Sequence, residues 1–353
     1  MRAVIKAGPG PGCQFVTDRT EPSLGSGEVR LEVAAVSVCG SDMAFFDHGD
    51  AASDLQMTFP RTMGHECAGT VIEVGPQTDG PALGTRVAME THLHCGQCWS
   101  CRSGIGHNCA RMDLLGVTVD GAFAERVVVP ARSCYLLPEE IETKTAALLE
   151  SAGSAMHGVL RSGVDLAGAS VLVSGAGPVG LVGAQIANAL GARRVVVVEP
   201  NEHRRRLAEA LGVQAIPPGV DAVAAADTTT RVRGGYDLVL ECSGALAAMQ
   251  AALSAVRREG TVVAVGLVKA NLPLDVTETL ITRGITLRGS WGRSIWDTWD
   301  RLTGLVVSGK VDLEGLITHR LPISALPRAL TLMRGDAGKV LLDPSLPDDV
   351  EGI

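Results

Sequence analysis

The sequence predicts an α/β protein of two domains, one rich in β-strands and one built on a doubly wound parallel sheet covered by helices. Three observations support this prediction. The 353 residues exceed the length at which a single hydrophobic core usually stops growing. Up to about residue 149, short apolar or alternating segments are separated by Gly and Pro. Beyond that point, longer apolar segments alternate with segments of helical periodicity.

The strands of the first domain are predicted from short segments in which apolar residues alternate with polar ones or follow one another. Examples are 29–33, 68–72 and 126–129. Alternation places the apolar side chains on one face of a strand, toward a core. We therefore expect a mostly β domain with turns between short strands.

In the second domain, apolar segments predict strands that are buried on both faces, as in a parallel sheet. They are 170–174, 194–199, 237–241 and 261–266. Segments with helical spacing lie among them at 179–192, 207–211 and 245–256. We expect this domain to span 153–290 and to be inserted into the first, which would comprise 1–152 and 291–353.

Composition and charge exclude several classes of protein. With 31 Lys and Arg against 39 Asp and Glu, the formal charge is −8, which disfavours a nucleic-acid partner because phosphate binding depends on basic patches. No segment reaches the roughly 18 consecutive apolar residues of a membrane helix. The first residues also lack the apolar core of a signal peptide, so we expect a cytoplasmic protein with no membrane partner.

Four closely spaced cysteines predict a structural zinc site. Cys95, Cys98, Cys101 and Cys109 can supply four thiolates to one tetrahedral ion, which leaves no open position for chemistry. We expect this ion to brace a lobe at about 91–111. The rival hypothesis is a nucleic-acid-binding zinc ribbon. It is disfavoured because the loop carries little positive charge and Gly96, Gln97, Trp99 and Ser100 between the ligands offer no basic surface.

A glycine-rich turn predicts a dinucleotide site. Gly175, Gly177, Pro178, Val179 and Gly180 belong to a G-x-G-x-x-G segment that follows a predicted strand and opens a predicted helix. In this context the first glycine permits the tight turn, and the second lets the backbone approach a pyrophosphate. The third allows the helix to pack closely on the strand.

Glu199, at the end of the next predicted strand, favours NAD over NADP. An acidic side chain there can accept hydrogen bonds from the adenosine ribose and would repel a 2′-phosphate. In the competing interpretation, Arg204 and its neighbours hold that phosphate. We expect NAD because Glu199 occupies the position that the motif assigns to the ribose.

A second, incomplete set of metal ligands is formed by Cys39, His65 and Glu66. A catalytic zinc requires such an incomplete set, because one position must stay free for water or substrate. Isolated Cys and His residues are also common in protein cores. The residues alone therefore leave open whether they bind a catalytic zinc or only pack in the core.

Taken in order, these motifs resemble those of the zinc-dependent medium-chain alcohol dehydrogenases. The resemblance rests on VCGSD at 38–42, GHE at 64–66, the four-cysteine loop and GAGPVG at 175–180, and it covers nearly the whole chain. Within that family the sequence is most similar to the L-threonine 3-dehydrogenases, and the sorbitol-type polyol dehydrogenases come next. Zinc-free relatives such as quinone reductases lack both ligand sets.

The resemblance implies a GroES-like β-rich catalytic domain and a Rossmann domain, with the active site in the cleft between them. It also implies two zinc ions per chain. Cys39 and His65 would bind the catalytic ion. Glu66 would be a ligand or a near ligand that exchanges with water, and Glu150 would close the fourth position. Asp42 would orient the ring of His65.

The implied reaction is the oxidation of a secondary alcohol to a ketone, with NAD as hydride acceptor and Ser41 passing the substrate proton toward solvent. Threonine dehydrogenases have a histidine where this chain has Ala44, so His48 or water would have to continue the relay. A hydroxy amino acid, a polyol and a cyclic alcohol all remain open as substrates. The family usually forms homodimers or homotetramers, and we expect the same here.

Overall fold

The structure is a computed structural model that describes residues 1–48, 57–224 and 226–348. The chain divides into two compact units. The first unit comprises Met1–Ser151, Ser294–Trp299 and Ile317–Ile353, and the second comprises Ala152–Arg293 and Asp300–Leu316.

The strands and helices are numbered in chain order. The strands are β1 (Ala3–Lys6), β2 (Gln14–Val16), β3 (Glu28–Ser37), β4 (Arg61–Thr62), β5 (Glu66–Val74), β6 (Arg86–Met89), β7 (His92–Leu93), β8 (Asp113–Leu114), β9 (Arg126–Pro130), β10 (Cys134–Leu136), β11 (Ser170–Ser174), β12 (Arg194–Val198), β13 (Gln214–Ile216), β14 (Tyr236–Glu241), β15 (Val256–Ala264), β16 (Thr286–Gly289), β17 (Ile317–Pro322) and β18 (Lys339–Asp343). The α-helices are α1 (Gly40–Phe46), α2 (Trp99–Arg102), α3 (Leu149–Ser162), α4 (Pro178–Ala189), α5 (Glu202–Ala210), α6 (Thr228–Val232), α7 (Leu246–Ala255), α8 (Asp297–Val307) and α9 (Leu326–Arg334). No described helix is long and apolar enough to cross a membrane.

The first unit is built around a seven-stranded sheet in the order β10-β6-β5-β3-β18-β17, with β9 also paired to β3. Strand β3 is central because it pairs antiparallel with β5, β9 and β18. Its alternating residues Val29, Leu31 and Val33 are buried in the core. The prediction of a β-rich domain is confirmed, and the alternation at 29–33 marks the core-facing side of β3.

The second unit contains a six-stranded sheet in the order β13-β12-β11-β14-β15-β16, and every neighbouring pair is parallel. The chain starts at the central strand β11 and builds outward in both directions, which is the doubly wound arrangement. All residues of β11 and β14 are buried, as expected for strands covered on both faces. The predicted parallel sheet is confirmed.

The unit boundaries differ from the predicted domain boundaries at residue 152, at 291–293 and over 300–316. The prediction places 152 and all of 291–353 in the first domain, whereas Ala152–Arg293 and Asp300–Leu316 form the second unit. One physical reason is Gln185 on α4, whose side chain accepts a hydrogen bond from the Asp312 backbone N–H (2.7 Å) and donates to the Asp312 carbonyl (3.2 Å). No local pattern around Gln185 or Asp312 predicts this long-range pairing.

Candidate metal centres and dinucleotide site

Strand pairing brings Cys39, His65 and Glu66 together in the first unit. Strand β3 ends at Ser37, which lies opposite Glu66 in the antiparallel β3–β5 pair. Cys39 caps the N-terminus of α1 two residues later. One ligand atom from each of the three residues lies within 4.8 Å of the others. The two segments are therefore adjacent although about 25 residues of sequence separate them.

The ring of His65 is held by neighbours on α1. Its Nδ1 lies 3.4 Å from Asp42 Oδ1, and its Nε2 lies 3.1 Å from Ser41 Oγ. Asp42 is fully buried, and its Oδ2 accepts a hydrogen bond from the Cys39 backbone N–H at 2.8 Å. Burial lowers the pKa of His65, but the Asp42 carboxylate outweighs it and raises that pKa well above its usual value. With a proton on Nδ1 facing Asp42, Nε2 is the nitrogen that can bind a metal.

Glu66 is completely buried and uses its two oxygens differently. Oε2 accepts hydrogen bonds from Ser37 Oγ (2.6 Å), Ser151 Oγ (3.2 Å) and Lys339 Nζ, whereas Oε1 has no hydrogen-bond partner among the residues that the structure describes. Burial raises the pKa of Glu66, but the charge of Lys339 outweighs it and lowers that pKa below its usual value. An ionised oxygen that is buried without a partner is costly, and a bound cation would satisfy it.

A thiol, an imidazole and an unpartnered carboxylate oxygen form a donor set that suits zinc and leaves a position open. The residues of the first unit therefore fit the catalytic zinc that the sequence predicted. The structure does not bring Glu150 into this group. Its carboxylate instead lies within 4.8 Å of ligand atoms of Glu90 and His92, and all three residues are buried.

The Glu90 and His92 pair is not among the metal-binding residues that the sequence predicts. His92 Nδ1 lies 2.7 Å from Glu90 Oε1, and Glu90 Oε2 accepts a hydrogen bond from Trp299 Nε1 at 2.9 Å. The signal available in the sequence was the two-residue spacing, which places both side chains on the same side of an extended segment.

The four cysteines of the predicted structural site converge. The sulfur separations are 3.9 Å for Cys95–Cys101, 3.5 Å for Cys98–Cys101 and 3.8 Å for Cys98–Cys109. A tetrahedron with Zn–S bonds of about 2.3 Å has edges of about 3.8 Å. Backbone N–H groups of Gln97 and Cys98 lower the pKa of Cys95 to about 5, which favours the thiolate that zinc requires.

The glycine turn of the second unit has the predicted form between β11 and α4. Gly175 has a φ of +99°, a conformation that favours glycine, and a Cβ at Gly180 would lie 1.9 Å from the Gly175 carbonyl oxygen. A Cβ at Gly177 would meet nothing within 4 Å, so space remains beside the backbone there. Pro178 and Val179 begin α4 with no side chain capping its N-terminus, which leaves helix N–H groups available for an anion.

Glu199 lies directly after β12, beside this turn, and is buried. Its Oε2 accepts a hydrogen bond from the Ala176 backbone N–H (2.7 Å), and its Oε1 accepts one from the Asn201 backbone N–H (2.9 Å). Arg204 is half-buried on the first turn of α5, where its N–H donates to the capping Asn201 side chain (3.1 Å). Glu199, the candidate for contacting the adenosine ribose, and Arg204, the candidate for holding a 2′-phosphate, therefore lie close together in the segment that runs from the end of β12 into the first turn of α5.

Two family models match the chain. One, described as an alcohol dehydrogenase GroES-like domain, matches residues 25–139. The other, described as a zinc-binding dehydrogenase, matches residues 178–308. Together they cover the Cys39–His65–Glu66 group, the four-cysteine lobe, and helix α4 with the last three residues of the glycine turn, 178–180.

Individual proteins are similar over almost the full length. The L-threonine 3-dehydrogenase of Pyrococcus horikoshii is 38% identical over 97% of this chain and 98% of that protein. Among solved structures, galactitol-1-phosphate dehydrogenase from Escherichia coli is 26% identical with a TM-score of 0.86, covering 98% of this chain and 100% of that one. The 2R,3R-butanediol dehydrogenase from Bacillus subtilis is 25% identical with a TM-score of 0.85, covering 98% and 99%.

Proposed function

The chain belongs to the zinc-dependent medium-chain alcohol dehydrogenase family, and on that premise we propose that it oxidises a secondary alcohol to a ketone with NAD. Cys39, His65 and Glu66 hold the catalytic zinc in this proposal. The observation that carries it is the buried Glu66 Oε1, which lacks a hydrogen-bond partner within the described part of the chain and lies beside a thiol and an imidazole. When bound, zinc lowers the pKa of an alcohol hydroxyl and NAD accepts the hydride.

The residues around the metal ligands have separate tasks. The Asp42 carboxylate lies 3.4 Å from His65 Nδ1, so its charge favours a proton on that nitrogen and leaves Nε2 for the metal. Ser41 Oγ lies 3.1 Å from His65 Nε2, so its hydroxyl is adjacent to the ligand group and can take the proton that leaves the substrate. Ala44 cannot continue that transfer, and we assign the next step to water, because His48 instead packs its ring against Phe59 at 5.6 Å.

A β-hydroxy amino acid of the threonine type is the first substrate candidate, because the curated relative with 38% identity carries that activity in its name. Polyols and cyclic secondary alcohols are the second candidate. The solved structures named after galactitol 1-phosphate and butanediol favour that group. Comparing NAD reduction with L-threonine, sorbitol, inositols and simple secondary alcohols at equal concentration separates the two groups.

Substitution of a metal ligand tests the reaction itself. Cys39→Ser and His65→Ala should abolish turnover and remove one zinc per chain, while the affinity for NADH stays within about twofold because its site lies in the second unit. Cys134→Ser is the matched control, since Cys134 is a buried thiol outside both ligand groups. Full activity of Cys39→Ser with its metal content unchanged would refute the proposal.

We also propose a homodimer or homotetramer. The edge strand β16 supports this, because all four of its residues are exposed, including Leu287. Leu267 and Ile281 are 64% and 69% exposed, so apolar surface accompanies an unpaired strand edge. Light scattering of Leu287→Lys should show a smaller species than the wild type. An unchanged mass would show that the β16 edge is not the subunit interface.

The cysteine chemistry supports a cytoplasmic location. All nine cysteines are free thiols, and four of them form the zinc group of the lobe. Zinc thiolates and reduced buried thiols persist in a reducing compartment. Fractionation of the producing cell tests the assignment, and recovery with secreted proteins would contradict it.

A further inference from the structure

The hydrogen bonds of Glu66 involve residues that lie outside the metal-ligand motif. Among residues 1–48, 57–224 and 226–348, three side chains donate to Oε2 and none donates to Oε1. The donors come from three separate parts of the first unit, namely Ser37 at the end of β3, Ser151 after Leu149 and Lys339 at the start of β18. The carboxylate cannot rotate to exchange its oxygens without breaking all three bonds.

Lys339 is the strongest of these donors. Its side chain is 2% exposed and that of Glu66 is fully buried, so the two opposite charges face each other away from water. Its Nζ also donates to the Val38 carbonyl oxygen at 3.3 Å, one residue before Cys39. The lysine therefore contacts both segments that carry the metal ligands. It lies at the start of β18, whose residues Leu341 and Leu342 pair with Ser37 and Val36 of β3.

The contact between Lys339 and Glu66 changes the net charge around the metal position. A thiolate at Cys39 and a carboxylate at Glu66 would together neutralise a divalent cation. The buried ammonium of Lys339 adds one positive charge in a region of low dielectric, where it is poorly screened. It also competes with the metal for the electron density of the same carboxylate.

We propose that Lys339 is a positioning residue that restricts Glu66 to Oε1 as its single metal-binding oxygen and keeps the bond of that oxygen to zinc weak. The catalytic zinc then retains a net positive charge and remains able to favour loss of the alcohol proton. This inference rests on the proposed function. It adds the chemical role of a residue that lies outside the Cys39, His65 and Glu66 motif.

The rate of zinc release from the holoenzyme tests the inference without any substrate. Lys339→Met removes the charge and keeps the length, so Glu66 is left with the metal as its only cationic partner. A chelator such as 1,10-phenanthroline should then remove the catalytic zinc about tenfold more slowly than from the wild type. Release from the four-cysteine lobe should be unchanged and serves as an internal reference.

Two further measurements separate a positioning role from a structural one. The rising limb of kcat/KM against pH should move to higher pH in Lys339→Met, since a site with less positive charge favours loss of the alcohol proton less. Lys339→Arg, which restores the charge, should restore both the release rate and the profile. Lys144→Met breaks the Lys144–Asp343 ion pair in the same unit and should change neither.

Faster zinc release from Lys339→Met, or an unchanged rate with an unchanged pH profile, would overturn the inference. If Lys339→Met does not fold, the rate of zinc release from Ser37→Ala tests the inference instead. That variant removes one restraint on Oε2 and should also slow release, and faster or equal release would refute the role of Oε2. Absence of a second zinc from the wild type would instead refute the proposed function itself.

Discussion

Glu199 Oε2 accepts a hydrogen bond of 2.7 Å from the backbone N–H of Ala176, inside the glycine turn. The acidic residue at the end of β12 therefore braces the turn that follows β11, in addition to facing the ribose end of the site. A carboxylate oxygen has two lone pairs, so this bond leaves capacity for a ribose hydroxyl. Turn geometry and cofactor choice are thus coupled through one side chain.

Glu199→Ala should weaken NADH binding by about tenfold, because it removes an acceptor for the ribose and loosens the turn. Its relative affinity for NADPH should increase, since the negative charge that repels a 2′-phosphate is gone. Fluorescence titration with both reduced cofactors measures the ratio. Glu202→Ala, which changes an exposed acidic residue on α5, is the control. An unchanged NADH to NADPH ratio would show that Glu199 does not select the cofactor.

The glycines of the turn should respond differently to alanine. Gly180→Ala places a Cβ 1.9 Å from the Gly175 oxygen, so we expect a loss of roughly 2 kcal/mol or more in unfolding free energy. Gly177→Ala meets no atom within 4 Å, so the protein should keep its stability. It should still lose at least tenfold in NADH affinity, because the methyl group occupies the place of the pyrophosphate.

Thermal unfolding and NADH titration of the same two variants measure both effects. The pair provides its own control, since one variant is expected to change stability and the other only binding. Normal NADH binding by Gly177→Ala would argue that the pyrophosphate does not approach this backbone.

Asp237 predicts an acid-sensitive second unit. Its Oδ2 accepts hydrogen bonds from the N–H (2.8 Å) and the hydroxyl (2.9 Å) of Ser170, and its Oδ1 accepts one from Arg257 Nε (2.7 Å). Burial raises the pKa of Asp237, but these donors outweigh it and lower that pKa below the usual value of 3.8. The ionised form is therefore the one that stabilises the fold.

The lowered pKa of Asp237 determines how its contribution to stability changes with pH. The contribution of Asp237 is fully present above the pKa of the unfolded chain and is lost as the pH falls through the folded pKa. Asp237→Asn should cost about 1–3 kcal/mol at pH 7, and the difference from wild type should shrink below pH 4. Chemical denaturation at pH 7 and pH 3 measures this, and a difference independent of pH would contradict the role of the charge.

Removal of one lobe cysteine should affect stability more than chemistry. Cys98→Ser should lose one zinc per chain and lower the melting temperature, by roughly 2–4 °C for each kcal/mol lost in a domain of this size. Molecules that remain folded should keep a kcat close to that of the wild type. Ser100→Ala, in the same loop, is the control. A large loss of kcat at unchanged stability would indicate that the lobe has a direct part in the reaction.

The sequence was informative wherever a feature is local. The four cysteines lie within 15 residues, and the glycine turn directly follows the buried strand β11, whose three central residues are apolar, so local sequence predicts both. Parallel strands buried on both faces are likewise predicted by short apolar segments. These elements needed no knowledge of which distant segments pair.

Features that depend on long-range strand pairing could not be predicted in the same way. The contact between Glu66 and Lys339 joins residues 273 positions apart and depends on β3 lying between β5 and β18. The grouping of Glu150 with Glu90 and His92 was missed for the same reason. No periodicity within one segment reports which strand will lie beside it.

The most direct test is the anomalous diffraction of holoenzyme crystals at the zinc edge. Two peaks per chain are predicted, one among the four cysteines of the lobe and one within about 2.0–2.4 Å of Cys39 Sγ, His65 Nε2 and Glu66 Oε1. A single peak in the lobe, in fully active protein with Cys39 and His65 free of metal, would contradict the account.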